Sequence, residues 1–139
     1  LQQSAEVHGF QLGTLEDFAM GGRRVSSTRV REALESGALG TARALLGRPY
    51  SMCGRVAHGD KRGRTIGFPT ANIFLHRASV PVSGVFAVEM LGIDDAPIPG
   101  VSNVGTRPTV DGSRALLEVL LFYFARYIYG NHVQFRFVK

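Results

Sequence analysis

The densest run of chemically useful residues is Gly54-Arg55-Val56-Ala57-His58-Gly59-Asp60-Lys61-Arg62-Gly63-Arg64-Thr65-Ile66-Gly67-Phe68-Pro69-Thr70-Ala71-Asn72, with four glycines and four Lys or Arg residues. Glycine lets backbone N–H groups approach an anion unobstructed, and neighbouring cations supply countercharge, so the run predicts a phosphate-cradling loop between strands. His58 stands at the mouth of that loop, where it can meet phosphate or serve as a turn residue. The spacing is not that of a Walker A loop, and neither G-x-G-x-x-G nor a D-F-G set occurs, which sets aside the common nucleotide-binding folds. The same residues also read as a solvated basic hairpin.

Just after the loop, Pro69-Thr70-Ala71-Asn72 enters a strand, so Thr70 and Asn72 share a face. A hydroxyl and an amide oxygen are hard ligands that suit Mg²⁺, which takes its remaining oxygens from water and substrate phosphate. Cross-strand pairing of Thr70 and a turn contact from Asn72 are the structural alternative. Phosphorylating an alcohol also needs a proton acceptor. Of the five carboxylates beyond residue 72, Asp94, Asp95 and Asp111 fall in turns, and Glu89 and Glu118 fall inside strands. Glu118 lies in Leu116-Leu117-Glu118-Val119-Leu120-Leu121, apolar on both faces, which suggests either a functional acid or a salt bridge to Arg107, Arg114 or Lys61. The four histidines have neither H-E-x-x-H nor H-x-G-H spacing, so no zinc-protease or nucleotidyl-transfer motif is encoded.

These residues need positioning elements. Ser26-Ser27-Thr28 predicts the cap of a helix with Val30, Ala33 and Leu34 on its apolar face, ending at Gly37. A second helix is expected from Thr41 to Leu46, stopped by Gly47-Arg48-Pro49. From Tyr50 the hydrophobic period becomes two. Strands are predicted at Tyr50–Ala57, Ala71–Leu75, Gly84–Leu91, Gly100–Val104, Ala115–Phe122 and His132–Val138, with no helix between them. Six short strands without crossover helices imply antiparallel pairing, best stabilised by closure, so the expected fold is a mainly β, six-stranded Greek-key-like barrel preceded by a helical hairpin. Residues 1–24 carry turn signals but no sustained period and are expected to be poorly defined.

At 139 residues the chain suits one domain plus an appendage, and 45% hydrophobic with 19% charged residues is ordinary globular composition. The formal charge of +5 favours anions without choosing among nucleotide, nucleic acid and lipid. One cysteine, Cys53, allows no internal disulfide, and no apolar run reaches the roughly 18–20 residues of a membrane span, so the cytoplasm is the expected location and no membrane partner is expected. The start at Leu1 and the strand-like end HVQFRFVK both read as cuts.

Together, HGDKRGRTIGFPTAN (58–72), Pro81-Val82-Ser83-Gly84-Val85-Phe86-Ala87-Val88, the segment Gly100–Thr109 and Leu117-Glu118-Val119 resemble the riboflavin kinase family. The resemblance implies ATP:riboflavin 5′-phosphotransferase activity giving FMN and ADP. ATP and phosphate would be bound by Gly54, His58, Gly59, Lys61, Gly63, Arg64, Gly67, Pro69 and Thr70, and Mg²⁺ by Thr70 and Asn72. Glu118 would be the base, and Asn103, Arg107 and Thr109 would contact flavin. Val25-Ser26-Ser27-Thr28-Arg29-Val30-Arg31 and the junction Leu45-Leu46-Gly47-Arg48-Pro49-Tyr50 resemble the closing part of the adenylyltransferase domain of bacterial bifunctional FAD synthetases. Residues 1–46 are thus expected to be the tail of that domain, packing against its body in a full-length parent. Residues 47–139 would be the kinase barrel, truncated before a C-terminal helix.

The sequence departs from the family after the catalytic strand. Where Asp-Phe-x-Gly-Asp-Leu-Tyr-Gly is usual, the chain reads Tyr123-Phe124-Ala125-Arg126-Tyr127-Ile128-Tyr129-Gly130, so Tyr123, Arg126 and Tyr127 replace two acids and a glycine. Strain in that turn is expected. The departures keep a second reading open, a non-catalytic nucleotide- or flavin-binding fragment. A basic barrel for single-stranded nucleic acid would need exposed aromatics among its basic residues. Phe86, Phe122, Phe135 and Phe137 are instead expected in the core, and no nucleic-acid partner is expected.

Overall fold

The computed structural model describes residues 1–57, 70–75, 79–109 and 112–139, with 107–109 and 112–114 described by backbone alone. Residues 1–24 hold more order than their sequence suggests. Helix α1 (Gln2–His8) ends on Gly9 in the left-handed region, and strands β1 (Ala19–Met20) and β2 (Arg23–Arg24) form a small hairpin. Gly21 and Gly22 both have positive φ, 61° and 70°, as the tightest hairpin turns require. The turn signals were thus legible, whereas two-residue strands are too short to leave a period.

Helix α2 (Ser27–Glu35) is capped by Ser26, whose hydroxyl accepts from the Arg29 N–H at 3.3 Å. The Arg29 guanidinium in turn donates to the carbonyls of Arg23 and Arg24, tying the small hairpin to this helix. Helix α3 (Leu39–Leu46) begins two residues earlier than expected and ends on left-handed Gly47. Ala33 and Leu34 of α2 and Ala42 and Leu45 of α3 are buried in the same apolar cluster as the barrel interior.

Six strands follow: β3 (Ser51–Ala57), β4 (Thr70–Phe74), β5 (Gly84–Leu91), β6 (Ile98–Thr109), β7 (Gly112–Leu121) and β8 (His132–Phe137). They close into a barrel in the order β3-β4-β7-β6-β5-β8, antiparallel throughout. Inward positions alternate as expected, with Ala71 and Ile73, Phe86, Val88 and Met90, Leu117, Val119 and Leu121, and Val133, Phe135 and Phe137 all buried. Ser102 is the buried polar side chain among them, and its hydroxyl donates to the Phe86 carbonyl. Phe122 breaks the expectation. It lies in the turn just past the end of β7 and is 38% exposed.

The strand order makes β4 opposite β5 and β7 opposite β8, three places apart in a ring of six. Both connections must therefore cross an end of the barrel, and each buries a residue there: Val82 before β5 and Ile128 before β8. The helical hairpin covers the Val82 end, where Tyr50 packs on Phe137 with ring centroids 5.5 Å apart. The Ile128 end is the one at which β3 finishes, β4 starts and β7 finishes.

Two interior positions admit no side chain. A Cβ on Gly54 would stand 2.3 Å from Ile73 Cγ2, and one on Gly100 would stand 2.5 Å from the Leu120 carbonyl oxygen. The second contact is with backbone and cannot be relieved by a rotamer change. Gly100→Ala should therefore destabilise the chain by about 1–3 kcal/mol, read as a lower urea midpoint at unchanged slope.

Candidate active site

Strand β7 sits between β4 and β6, and its register sets the site. Glu118 pairs with Asn72 on one side and with Asn103 on the other, while Leu120 pairs with Thr70. Residues directly opposite in an antiparallel pair share a face, with Cβ atoms about 4.5–5.5 Å apart. Asn72, Glu118 and Asn103 thus form one polar row across three strands on the outer face, with Thr70 one step nearer the Ile128 end. Glu118 and Asn103 are exposed, and Thr70 and Asn72 half-buried. Half-buried Leu116 and Leu120 flank Glu118 along its strand, and Leu117 and Val119 on either side of it point into the core at 0% exposure. The apolar setting expected for this acid is present, but its carboxylate lies in solvent rather than inside the protein.

The two strand carboxylates separate by their partners. Glu89 faces Arg136 across β5 and β8 and accepts from Nε at 2.8 Å and Nη2 at 2.6 Å, in a half-buried pair. Glu118 has no hydrogen-bond or ion-pair partner among the described residues. Of the salt-bridge partners considered for it, Lys61 and the side chains of Arg107 and Arg114 lie outside the described residues. Glu89 is committed to the sheet, and Glu118 is available.

The remaining expected site residues divide by position. His58, Gly59, Lys61, Gly63, Arg64, Gly67 and Pro69 lie outside the described residues. Gly54 lies mid-strand opposite Val133, where its missing side chain serves packing against Ile73. Arg107 and Thr109 follow Asn103 by four and six residues along β6, roughly 13 and 20 Å at strand rise, toward the β6–β7 hairpin tip. The structure therefore brings together Thr70, Asn72, Glu118 and Asn103. Thr70 and Asn72 add a hydroxyl and an amide oxygen beside the Glu118 carboxylate, a set of hard oxygens that fits a divalent cation completing its shell with water and phosphate. A cleft of about 700 Å³ lies elsewhere, between α2, α3 and residues 79–81, lined by Val30, Leu34, Tyr50 and Val80, and none of the row reaches it.

The segment after β7 carries the expected strain at one point. Tyr123 has φ 55°, in the left-handed region, and its side chain is fully exposed. Asp and Asn visit that region far more readily than an aromatic residue. Arg126, by contrast, has found partners that the sequence did not announce: it pairs with Asp94 in the β5–β6 turn and lies 4.9 Å over the Phe124 ring.

A family model described as Flavokinase: Riboflavin kinase matches residues 46–139. The bifunctional riboflavin kinase/FMN adenylyltransferase of Escherichia coli (strain K12) is 52% identical over 134 residues, covering 96% of this chain and 43% of that protein. The protein of the same description from Bacillus subtilis (strain 168) is 42% identical over 121 residues, covering 84% and 38%. A crystal structure described as a macrolide-efflux protein from Streptococcus pneumoniae superposes with a TM-score of 0.75 at 38% identity, covering 87% of this chain and 40% of that one. Among the described residues no helix is long and apolar enough to cross a membrane. A small closed barrel is thus the shared framework. The chain belongs to the riboflavin kinase family and carries its kinase domain, and it spans less than half the length of the curated relatives it matches.

Stability measurements on three variants check the site. Glu118→Gln should leave the urea midpoint within about 0.5 kcal/mol of wild type, whereas Glu89→Gln, which strips Arg136 of its partner, should cost about 1–2 kcal/mol. Tyr123→Asn should raise stability by about 1 kcal/mol by relieving the left-handed backbone, visible in the same titration.

Proposed function

We propose that this chain transfers the γ-phosphoryl group of ATP to the 5′-hydroxyl of riboflavin, with Glu118 as proton acceptor. The observation that carries the assignment is the row Asn72–Glu118–Asn103, a carboxylate without a partner among the described residues, held between two amides on the outer wall. Glu118 takes the proton of the ribityl hydroxyl as its oxygen forms a bond to phosphorus and the bond from phosphorus to the ADP oxygen breaks, giving FMN and ADP. Asn103 and, further along β6, Arg107 and Thr109 orient the flavin. Thr70 and Asn72 hold Mg²⁺, which when bound neutralises phosphate charge. The glycine-rich sequence 58–69 supplies N–H and cationic groups to ATP.

The family membership and the pairing of Thr70 with β7 support this reading. Residues 1–46 are proposed as the tail of an adenylyltransferase domain in a longer parent, against whose body they pack. Their exposed apolar residues Leu15 and Phe18 fit that reading. The exposed free thiol of Cys53 suits a reducing cytoplasm.

Incubation with riboflavin and Mg-ATP, followed by chromatography with fluorescence detection, should yield FMN. Glu118→Gln should lower turnover by about 10²–10⁴-fold with nucleotide binding retained. Undiminished turnover in that variant would remove Glu118 from the mechanism. No FMN from folded wild-type chain would leave a binding fragment as the reading.

A further inference from the structure

The fold gives a reason for three glycines of the barrel strands. Gly54 and Gly100 are pressed against Ile73 and the Leu120 carbonyl, and Gly84 takes a φ of 112°. Gly105 has neither reason. Its backbone is ordinary strand paired with Leu116 on β7, and a Cβ built on it meets no atom of the described residues within 4 Å. A glycine inside a strand weakens it by leaving nothing to pack, and where packing does not demand one it marks a close approach of a ligand or another backbone.

Its position indicates what approaches. Alternation along β6 puts Gly105 on the outer face with Asn103, two residues before it, and toward the hairpin tip from there, between Asn103 and Arg107. Gly105 is half-buried, as are its row neighbours Leu116 on β7 and Phe74 on β4, which pair with each other. On the other side the β5 ladder starts with Gly84 opposite Val104, so it does not run alongside Gly105. The outer wall therefore carries a bare stretch of backbone with two apolar side chains along one flank and the polar row one step away. Glu118 pairs with Asn103 and so lies diagonally from Gly105, at about 7–8 Å. An extended ribityl chain, from ring nitrogen to terminal hydroxyl, spans a comparable length. A flat ring laid on Gly105 would carry its 5′-hydroxyl to Glu118.

We propose that Gly105 is a specificity-determining position: its missing side chain lets the isoalloxazine ring lie against the β6 backbone beside Leu116, with the ribityl chain running along the outer wall to Glu118. The proposal rests on the riboflavin kinase reading. Gly105 makes no bond to the reacting atoms. It contributes space, at the cost of a weaker strand, on the side of Asn103 that leads to Arg107 and Thr109.

The test compares wild type, Gly105→Ala and Gly105→Val in the 139-residue chain, with riboflavin binding followed by flavin fluorescence, Mg-ADP binding by calorimetry and unfolding by urea. Either side chain suits a strand and meets open space, so the urea midpoint should hold or rise. Riboflavin should bind about tenfold more weakly to Gly105→Ala and about 100-fold more weakly to Gly105→Val, because the added atoms overpack an occupied site. Mg-ADP affinity should stay at the wild-type value. Unchanged riboflavin affinity in Gly105→Val would overturn the placement and leave the kinase reading intact. A midpoint lowered already in Gly105→Ala would give this glycine a structural reason and withdraw the proposal. Loss of Mg-ADP affinity in step with riboflavin would assign the bare stretch to the nucleotide instead. Failure of folded wild-type chain to bind riboflavin would remove the kinase reading, and the placement with it.

Discussion

Closure of the barrel between β3 and β8 is the constraint on which the rest of the molecule depends. A sheet of six short strands left open would expose two rows of unpaired backbone groups, and pairing Ser51–Arg55 with His132–Arg136 removes them. Closure at this strand number leaves an interior wide enough for side chains only, and Ile73, Val88, Val104, Leu117, Val133 and Phe135 fill it. The same closure puts β4 opposite β5 and β7 opposite β8, so each barrel end is sealed by the connection that must cross it. With the interior filled, polar side chains are displaced to the outer wall, where β4, β7 and β6 present the row Asn72–Glu118–Asn103.

That displacement explains the division of labour among the carboxylates. On β5, an outward acid meets Arg136 on the adjacent strand and becomes part of the sheet. On β7, the neighbours across the ladder are amides, which accept or donate hydrogen bonds but do not neutralise charge. Among the described residues nothing holds Glu118 in an ion pair. The glycines contribute differently from one another: Gly54 and Gly100 let strands approach closely, whereas Gly21 and Gly22 turn a hairpin.

Much of the architecture was legible in the sequence because a two-residue period over five or more residues is an unambiguous signal. All six barrel strands and both helices of the hairpin lie within a few residues of their expected positions, apart from the long β6–β7 arm. That arm runs to Thr109 and restarts at Gly112, through Pro108 and a stretch whose alternation is weak. Helix α1 and the two-residue strands carry too few side chains to leave a pattern. Phe122 is exposed although its apolar setting points to the core, because the strand ends one residue before it. Register was out of reach altogether: that Asn103 lies beside Glu118 depends on pairing between strands, which leaves no local trace, as does the meeting of Arg126 with Asp94 across thirty-two residues. The role of the glycine-rich stretch 58–69 rests on its sequence.

The alternation of β7 sets how this part of the chain can change through evolution. Leu117 and Val119 hold the strand against the core, and Glu118 faces out only because it lies between them. Inserting or deleting one residue within Ala115–Leu121 would exchange the two faces, turning the carboxylate into the filled interior and two leucines into solvent. Substitutions can be sampled one at a time here, but length cannot. A change of length leaves the acid in place only in the arm before Ala115 or in the crossing after Leu121.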